Sequence, residues 1–147
     1  MIVNIRHAGI VVKDLDAAIR FYGDLLGMKV MRRMDESGVY IDNMTALQNV
    51  KVTTVKLAAP DGQLVELLAF RSHSSTVDNQ RGIADQGLTH IAFTVDDLDR
   101  TYAALTKAGV VFNAPPQLSP DGYAKVTFCK DPEGNFLELV EVLKKNG

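Results

Sequence analysis

The sequence has one cysteine, three histidines and no surplus of positive charge. A single thiol, Cys129, excludes an internal disulfide and fits a reducing cytoplasm, with Cys129 itself expected to be a buried structural residue. A formal net charge of −2 over 147 residues lacks the electrostatic footprint of a nucleic-acid-binding protein. Arg32-Arg33 and Lys144-Lys145 are short runs that read as solvated surface. The longest apolar stretch, Ala8 to Val12, is far too short to span a membrane or to form a signal core. No Gly-x-Ser-x-Gly turn, phosphate-binding loop or cysteine–histidine pairing occurs, and there is no low-complexity segment. What remains is a soluble globular chain, 46% hydrophobic, of ordinary size for one domain.

Two carboxylates stand out within that chain. Glu66 lies inside Gln63-Leu64-Val65-Glu66-Leu67-Leu68-Ala69-Phe70, and Glu138 inside Asn135-Phe136-Leu137-Glu138-Leu139-Val140. Both runs read as strands, and an ionised carboxylate among apolar neighbours is costly unless a cation or strong donors compensate it. Two of the three histidines, His7 and His90, open comparable apolar runs.

These residues recur in register. His7-Ala8-Gly9-Ile10-Val11-Val12-Lys13-Asp14-Leu15-Asp16 aligns with His90-Ile91-Ala92-Phe93-Thr94-Val95-Asp96-Asp97-Leu98-Asp99, an offset of 83 residues from His7 to His90. Pro60-Asp61-Gly62-Gln63-Leu64-Val65-Glu66-Leu67 aligns with Pro132-Glu133-Gly134-Asn135-Phe136-Leu137-Glu138-Leu139, an offset of 72 from Glu66 to Glu138. The chain is therefore two copies of one module, each opening on a histidine strand and closing on a glutamate strand. The offsets differ by 11 residues, extra length in the first copy that is best placed within Asp35 to Asn49.

Each copy carries a helix after its first strand. Asp14 is an N-cap for Leu15 to Leu26, where Leu15, Ala18, Ile19, Tyr22, Leu25 and Leu26 form one stripe, and Gly27 is the stop. Asp97, the stripe Leu98, Tyr102 and Leu105, and Gly109 repeat the pattern. Strand-like runs follow at Lys29 to Arg32, Lys51 to Leu57, Val110 to Phe112 and Ala124 to Phe128. Pro60-Asp61-Gly62 and Asp131-Pro132-Glu133-Gly134 have hairpin-turn chemistry. The expected fold class is α+β, with two βαβββ modules at residues 1–70 and 88–143 joined by the polar connector Arg71 to Gly87 in a single domain spanning 1–147.

Alternation along a strand sets Glu66 on one face with Leu64 and Leu68, and Glu138 with Phe136, Val140 and Val142. His7 shares a face with Gly9 and Val11, and His90 with Ala92 and Thr94, small neighbours that leave room beside each ring. Glu141 falls on the face opposite Glu138 and is expected in solvent or an ion pair. Taken singly, a histidine opening a strand is more often a satisfied core or edge residue than a ligand, and a strand glutamate can reach water from an edge. Four such residues at matching places in both repeats favour a shared divalent-metal site, with His7, Glu66, His90 and Glu138 as ligands. His73, in Ser72-His73-Ser74-Ser75, reads as surface. An N₂O₂ donor set suits Zn²⁺, Ni²⁺, Co²⁺, Fe²⁺ or Mn²⁺ rather than Cu⁺ or an iron–sulfur cluster. On an octahedral ion it leaves two adjacent positions for the oxygens of an α-hydroxycarbonyl, ene-diolate or diol. Glu138 or Glu66 is then placed to carry a proton between neighbouring carbons.

The paired βαβββ modules, the order His…Glu…His…Glu, the stretch Phe21-Tyr22…Leu25-Leu26-Gly27-Met28 and the segment Asp131-Pro132-Glu133-Gly134-Asn135-Phe136-Leu137-Glu138-Leu139 together resemble the vicinal oxygen chelate superfamily. It includes type I glyoxalases, methylmalonyl-CoA epimerases, extradiol dioxygenases, fosfomycin-modifying enzymes and bleomycin-resistance proteins. The resemblance covers nearly the whole chain and implies a cupped mixed sheet, a homodimer, and metal ligands that often meet across its interface. It places the ligand pattern on His7, Glu66, His90 and Glu138, a full set that looks most like glyoxalase. Epimerase relatives usually carry glutamine at the position of Glu66, and bleomycin-resistance proteins generally lack the set. Glyoxalases similar to this chain hold glutathione with an arginine four residues after the first ligand and an asparagine four after the second. Val11 and Phe70 stand there instead, which implies a less polar substrate or one held from elsewhere. The implied activity is that of a metal-dependent glyoxalase-like lyase or isomerase on a small molecule. An epimerase-like racemase and a non-catalytic binding protein are the alternatives.

Overall fold

The duplicated sequence folds as two four-stranded mixed sheets, one in each of two units, Met1–Val77 and Asp78–Gly147. The computed structural model describes residues 1–74 and 81–143. Part of the Arg71 to Gly87 connector, and the pair Lys144-Lys145, therefore lie outside the described residues.

The first unit runs β1 (His7–Val11), α1 (Leu15–Ile19), β2 (Lys29–Ser37), α2 (Val39–Thr45), β3 (Lys51–Ala58) and β4 (Leu64–Phe70). Its strand order is β1-β4-β3-β2, with β1 parallel to β4 and the other pairs antiparallel. The second unit runs β5 (His90–Thr94), α3 (Leu98–Lys107), β6 (Gln117–Leu118), β7 (Ala124–Lys130) and β8 (Phe136–Val142), in the equivalent order β5-β8-β7-β6. Both units are α+β.

One face of each sheet carries the core. In β4 the buried residues are Val65, Leu67 and Ala69, alternating with half-buried Leu64, Glu66, Leu68 and Phe70. In β8, Leu137 and Leu139 are buried while Phe136, Glu138 and Val140 are half-buried. The apolar residues of the first helix and of α3 (Leu15, Ala18, Phe21 and Tyr22; Leu98 and Leu105) are buried with these core positions. Asp14 accepts from the Ala17 N–H and Asp97 from the Arg100 N–H, each closing one orphan donor at a helix start. Glu141 is half-buried, and its carboxylate Oε2 accepts the Leu98 N–H at 2.8 Å, which closes a second donor of α3.

The first helix departs from the α spacing assumed for it. From Arg20 to Leu25 it widens into a π-helical stretch, with the Leu26 N–H bonded to the Phe21 carbonyl at 3.0 Å. The wider turn lags behind 3.6-residue periodicity, so the adjacent Phe21 and Tyr22 are both buried and Leu25 turns outward.

The extra length of the first copy is α2, which has no counterpart among the described residues of the second unit. Its Ile41 packs with Val50 and Val52 against Leu68 and Phe70. Before it, β2 continues past Arg32 to Ser37, because the Asp35 and Glu36 carboxylates accept from the Thr53 and Thr54 hydroxyls across the ladder at 2.5 and 3.2 Å. In the second unit, Val110 to Phe112 forms no strand of its own. A single bridge joins Phe112 to Cys129, and the edge strand resumes only at Gln117 because Pro115-Pro116 interrupts the ladder donors.

Both glutamate strands enter through three-residue hairpin loops. The Ala59 N–H bonds to the Gln63 carbonyl and the Asp131 N–H to the Asn135 carbonyl, each at 2.9 Å. Gly62 and Gly134, both at φ 87°, take the left-handed position that closes such a loop.

Cys129 is fully buried on β7, and desolvation, with the Asp131 charge adding to it, pushes its thiol up from 9.0 to about 11. An acid whose folded value is raised keeps its proton longer in the folded than in the unfolded chain. Its contribution to stability is thus complete below about pH 9 and falls as pH rises towards about 11, by at most about 1.4 kcal/mol per pH unit. Urea titrations near neutral pH and near pH 10 are expected to show an extra alkaline loss in the wild type that Cys129→Ala lacks. Equal losses in both would contradict the assignment.

Candidate metal centre

The parallel register sets His7 opposite Leu64 and Gly9 opposite Glu66, so the His7 ring leans along β1 towards a carboxylate two residues on. His7 Nε2 lies 2.9 Å from Glu66 Oε2. The second unit repeats the offset, with His90 opposite Phe136 and Ala92 opposite Glu138, and His90 Nε2 lies 3.2 Å from Glu138 Oε2. The Glu66 side chain is 14% exposed and that of Glu138 24%, so both carboxylates are substantially withdrawn from water. Each is met by the imidazole of its own repeat.

The surroundings of the two pairs differ. Lys56, opposite Glu66 on β3, brings its Nζ within 3.7 Å of Glu66 Oε1. Phe128 is opposite Glu138, and its ring meets that of His90 edge-on at 5.2 Å. His90 Nδ1 is hydrogen-bonded with the Thr89 hydroxyl at 2.8 Å, which fixes the ring with Nε2 towards Glu138. His7 Nδ1 is the one buried side-chain polar atom among the described residues without a hydrogen-bond partner. A buried ring nitrogen without a partner carries a desolvation cost, and it distinguishes His7 from His90, whose Nδ1 is bonded to Thr89. His73 is half-buried, pairs with the Ser72 hydroxyl at 2.8 Å and takes no part in either pair.

A family model of the Glyoxalase/Bleomycin resistance protein/Dioxygenase superfamily matches residues 4–139. The chain belongs to that superfamily. The probable lactoylglutathione lyase of Vibrio cholerae is 27% identical over 138 residues, which cover 94% of this chain and 90% of the relative. The lactoylglutathione lyase of Pseudomonas aeruginosa is 31% identical over 144 residues, 92% of this chain and 80% of the relative. Among solved structures, a glyoxalase family protein from Bacillus cereus superposes with a TM-score of 0.89 at 24% identity, covering 98% of this chain and 97% of its own, a likeness of fold. The trypanothione-dependent glyoxalase I of Leishmania major gives a TM-score of 0.68 at 29% identity over 95% and 86% of the two chains.

Members of the superfamily are generally metal-dependent, and the donor atoms here fit such an ion. Two donors each about 2.1 Å from one cation and at right angles to each other stand about 3.0 Å apart. That is the spacing within both histidine–glutamate pairs. Among the described residues no three His, Cys, Asp or Glu side chains form a metal-holding group, so each unit by itself supplies two donors.

Sequence reasoning missed Lys56, Thr89 and Phe128. The repeat offset of 72 residues sets Lys56 against Phe128, a cation against an aromatic ring in otherwise matched strands, and that mismatch was the available signal.

Proposed function

We propose that the protein is a divalent-metal-dependent lyase or isomerase of glyoxalase type, acting on a small molecule that presents two adjacent oxygens. The reading is carried by one observation: both repeats hold a histidine nitrogen and a glutamate oxygen at the separation of neighbouring ligands. His7, Glu66, His90 and Glu138 together would hold Zn²⁺, Ni²⁺, Co²⁺, Fe²⁺ or Mn²⁺. Bound there, the cation supplies Lewis-acid stabilisation of charge developing on the substrate oxygens. The chain's own part in the reaction is proton transfer. Glu138, or Glu66, takes a proton from a carbon beside a carbonyl and returns it to the neighbouring carbon, so the reaction is redox-neutral.

The substrate is proposed to be less polar than a glutathione adduct. Phe70 is packed in the apolar cluster under α2, and Val11 is exposed on the histidine face of β1. A homodimer, whose pairing covers open sheet edges, and a cytoplasmic setting complete the reading. No helix of the described residues is long and apolar enough to cross a membrane.

Turnover of hemithioacetals and acyl-CoA esters, with metal stripped and restored, tests the reading. Activity is expected on a hemithioacetal or related α-hydroxycarbonyl, lost on chelation and regained with a divalent ion. Turnover of acyl-CoA esters alone would assign an epimerase-like racemase. Ligand binding that survives complete metal removal, with no product detected, would assign a binding protein. Light scattering is expected to show a dimer at micromolar concentration, and a strict monomer would reject that part.

A further inference from the structure

We infer that Lys56 is a positioning residue that restricts Glu66 to binding metal through a single oxygen, leaving Glu138 as the unrestrained carboxylate. The inference rests on the metal-centre reading above.

Three observations support it. The two oxygens of Glu66 face different partners, Oε2 the imidazole of His7 at 2.9 Å and Oε1 the ammonium of Lys56 at 3.7 Å. The β3–β4 register sets Lys56 directly across from Glu66, and the β2–β3 register sets Arg32 directly across from Lys56 on its other side. Like charges opposite one another repel, so Arg32 biases the Lys56 ammonium towards the carboxylate. The second repeat has the same histidine–glutamate pair without this device, because Phe128 fills the place of Lys56 and lies edge-on to His90.

The chemical consequence follows from charge. The Lys56 side chain is 29% exposed, so an isolated pairing with Glu66 would add little to stability. Beside a metal ligand the same ammonium does two things. Standing 3.7 Å from Oε1, it competes with a dication for the second oxygen of Glu66 and so favours an open coordination position. It also repels the dication, which holds affinity below what two imidazoles and two carboxylates would otherwise give. The carboxylate of Glu138 has no ammonium on it among the ion pairs of the described residues, so its second oxygen is unconstrained.

Co²⁺ loading of the full chain tests this independently of turnover. Lys56→Met is expected to bind Co²⁺ about tenfold more tightly than the wild type, the factor that one unit charge several ångströms from a dication is worth in a water-like dielectric. Its visible d–d bands are expected to weaken as Glu66 closes onto the metal with both oxygens and the coordination number rises. Lys56→Arg is expected to restore wild-type affinity and spectrum. Lys56→Phe, which copies the second repeat into the first, repeats the measurement with a residue that the equivalent strand position already carries. A wild type that binds Co²⁺ with affinity and spectrum unchanged in Lys56→Met and Lys56→Phe overturns this inference alone. A wild type that takes up no Co²⁺ overturns the metal-centre reading and this inference with it. A purely structural Lys56 would lower thermal stability without raising metal affinity.

Discussion

Glu138→Gln is expected to lower turnover by about two to four orders of magnitude at saturating metal, with the fold intact. Glutamine matches glutamate in size and keeps one carbonyl oxygen, but it carries no charge and accepts no proton at neutral pH. Metal affinity is expected to fall as well, because an amide is a poorer ligand, so rates must be compared with metal in excess. Glu66→Gln is the control. Its two oxygens face different partners, Oε2 His7 and Oε1 Lys56, an arrangement suited to a fixed ligand, and the loss of activity is expected to be smaller than for Glu138→Gln. Steady-state kinetics on a confirmed substrate decide the matter. Full activity in Glu138→Gln would dismiss its catalytic role.

Asp131→Ala is expected to cost about 2–4 kcal/mol of folding stability. Asp131 is 5% exposed, and its Oδ1 accepts the Glu133 and Asn135 N–H groups at 2.9 Å while Oδ2 accepts from the Asn135 side chain at 3.0 Å. Removing the carboxylate leaves those donors without their acceptor in the loop that sets the start of β8, and with it Glu138. The place of Asp131 is taken by Ala59 in the first repeat. The aspartate of that loop, Asp61, stands at the place of Glu133 and is exposed, and its Oδ1 accepts the Gln63 N–H at 3.0 Å. Asp61→Ala is therefore expected to cost less than about 1 kcal/mol. Chemical denaturation of both variants measures the difference, and equal losses would contradict it.

The histidines and glutamates were legible because duplication repeats them. His7 with Glu66 and His90 with Glu138 fall at equal places in each copy, and strand alternation alone sets each glutamate's face. The turns were legible for a local reason, since Pro60, Gly62 and Gly134 meet fixed backbone demands. Lys56 and Phe128 were legible only as a mismatch at the repeat offset, because their place across from Glu66 and Glu138 is set by ladder register, which no single strand encodes. Leu25 was misplaced for a similar reason. A π-helical turn is selected by the burial of Phe21 and Tyr22 together, and α periodicity cannot anticipate it. The edge of the second sheet was shifted by Pro115-Pro116, whose missing donors moved regular pairing from Val110–Phe112 to Gln117–Leu118. Glu141 was assigned to the correct face, but its partner at the start of α3 depends on how the helix packs.

The most direct test of the metal centre is the structure of the protein loaded with Ni²⁺ or Co²⁺, with the ion located by its anomalous scattering. One ion bound by His7, Glu66, His90 and Glu138 at about 2.0–2.3 Å is the expected result, whether the four come from one chain or from two copies. An ion held elsewhere, or four side chains beyond a ligand's reach of one another both within the chain and across any dimer, would contradict it.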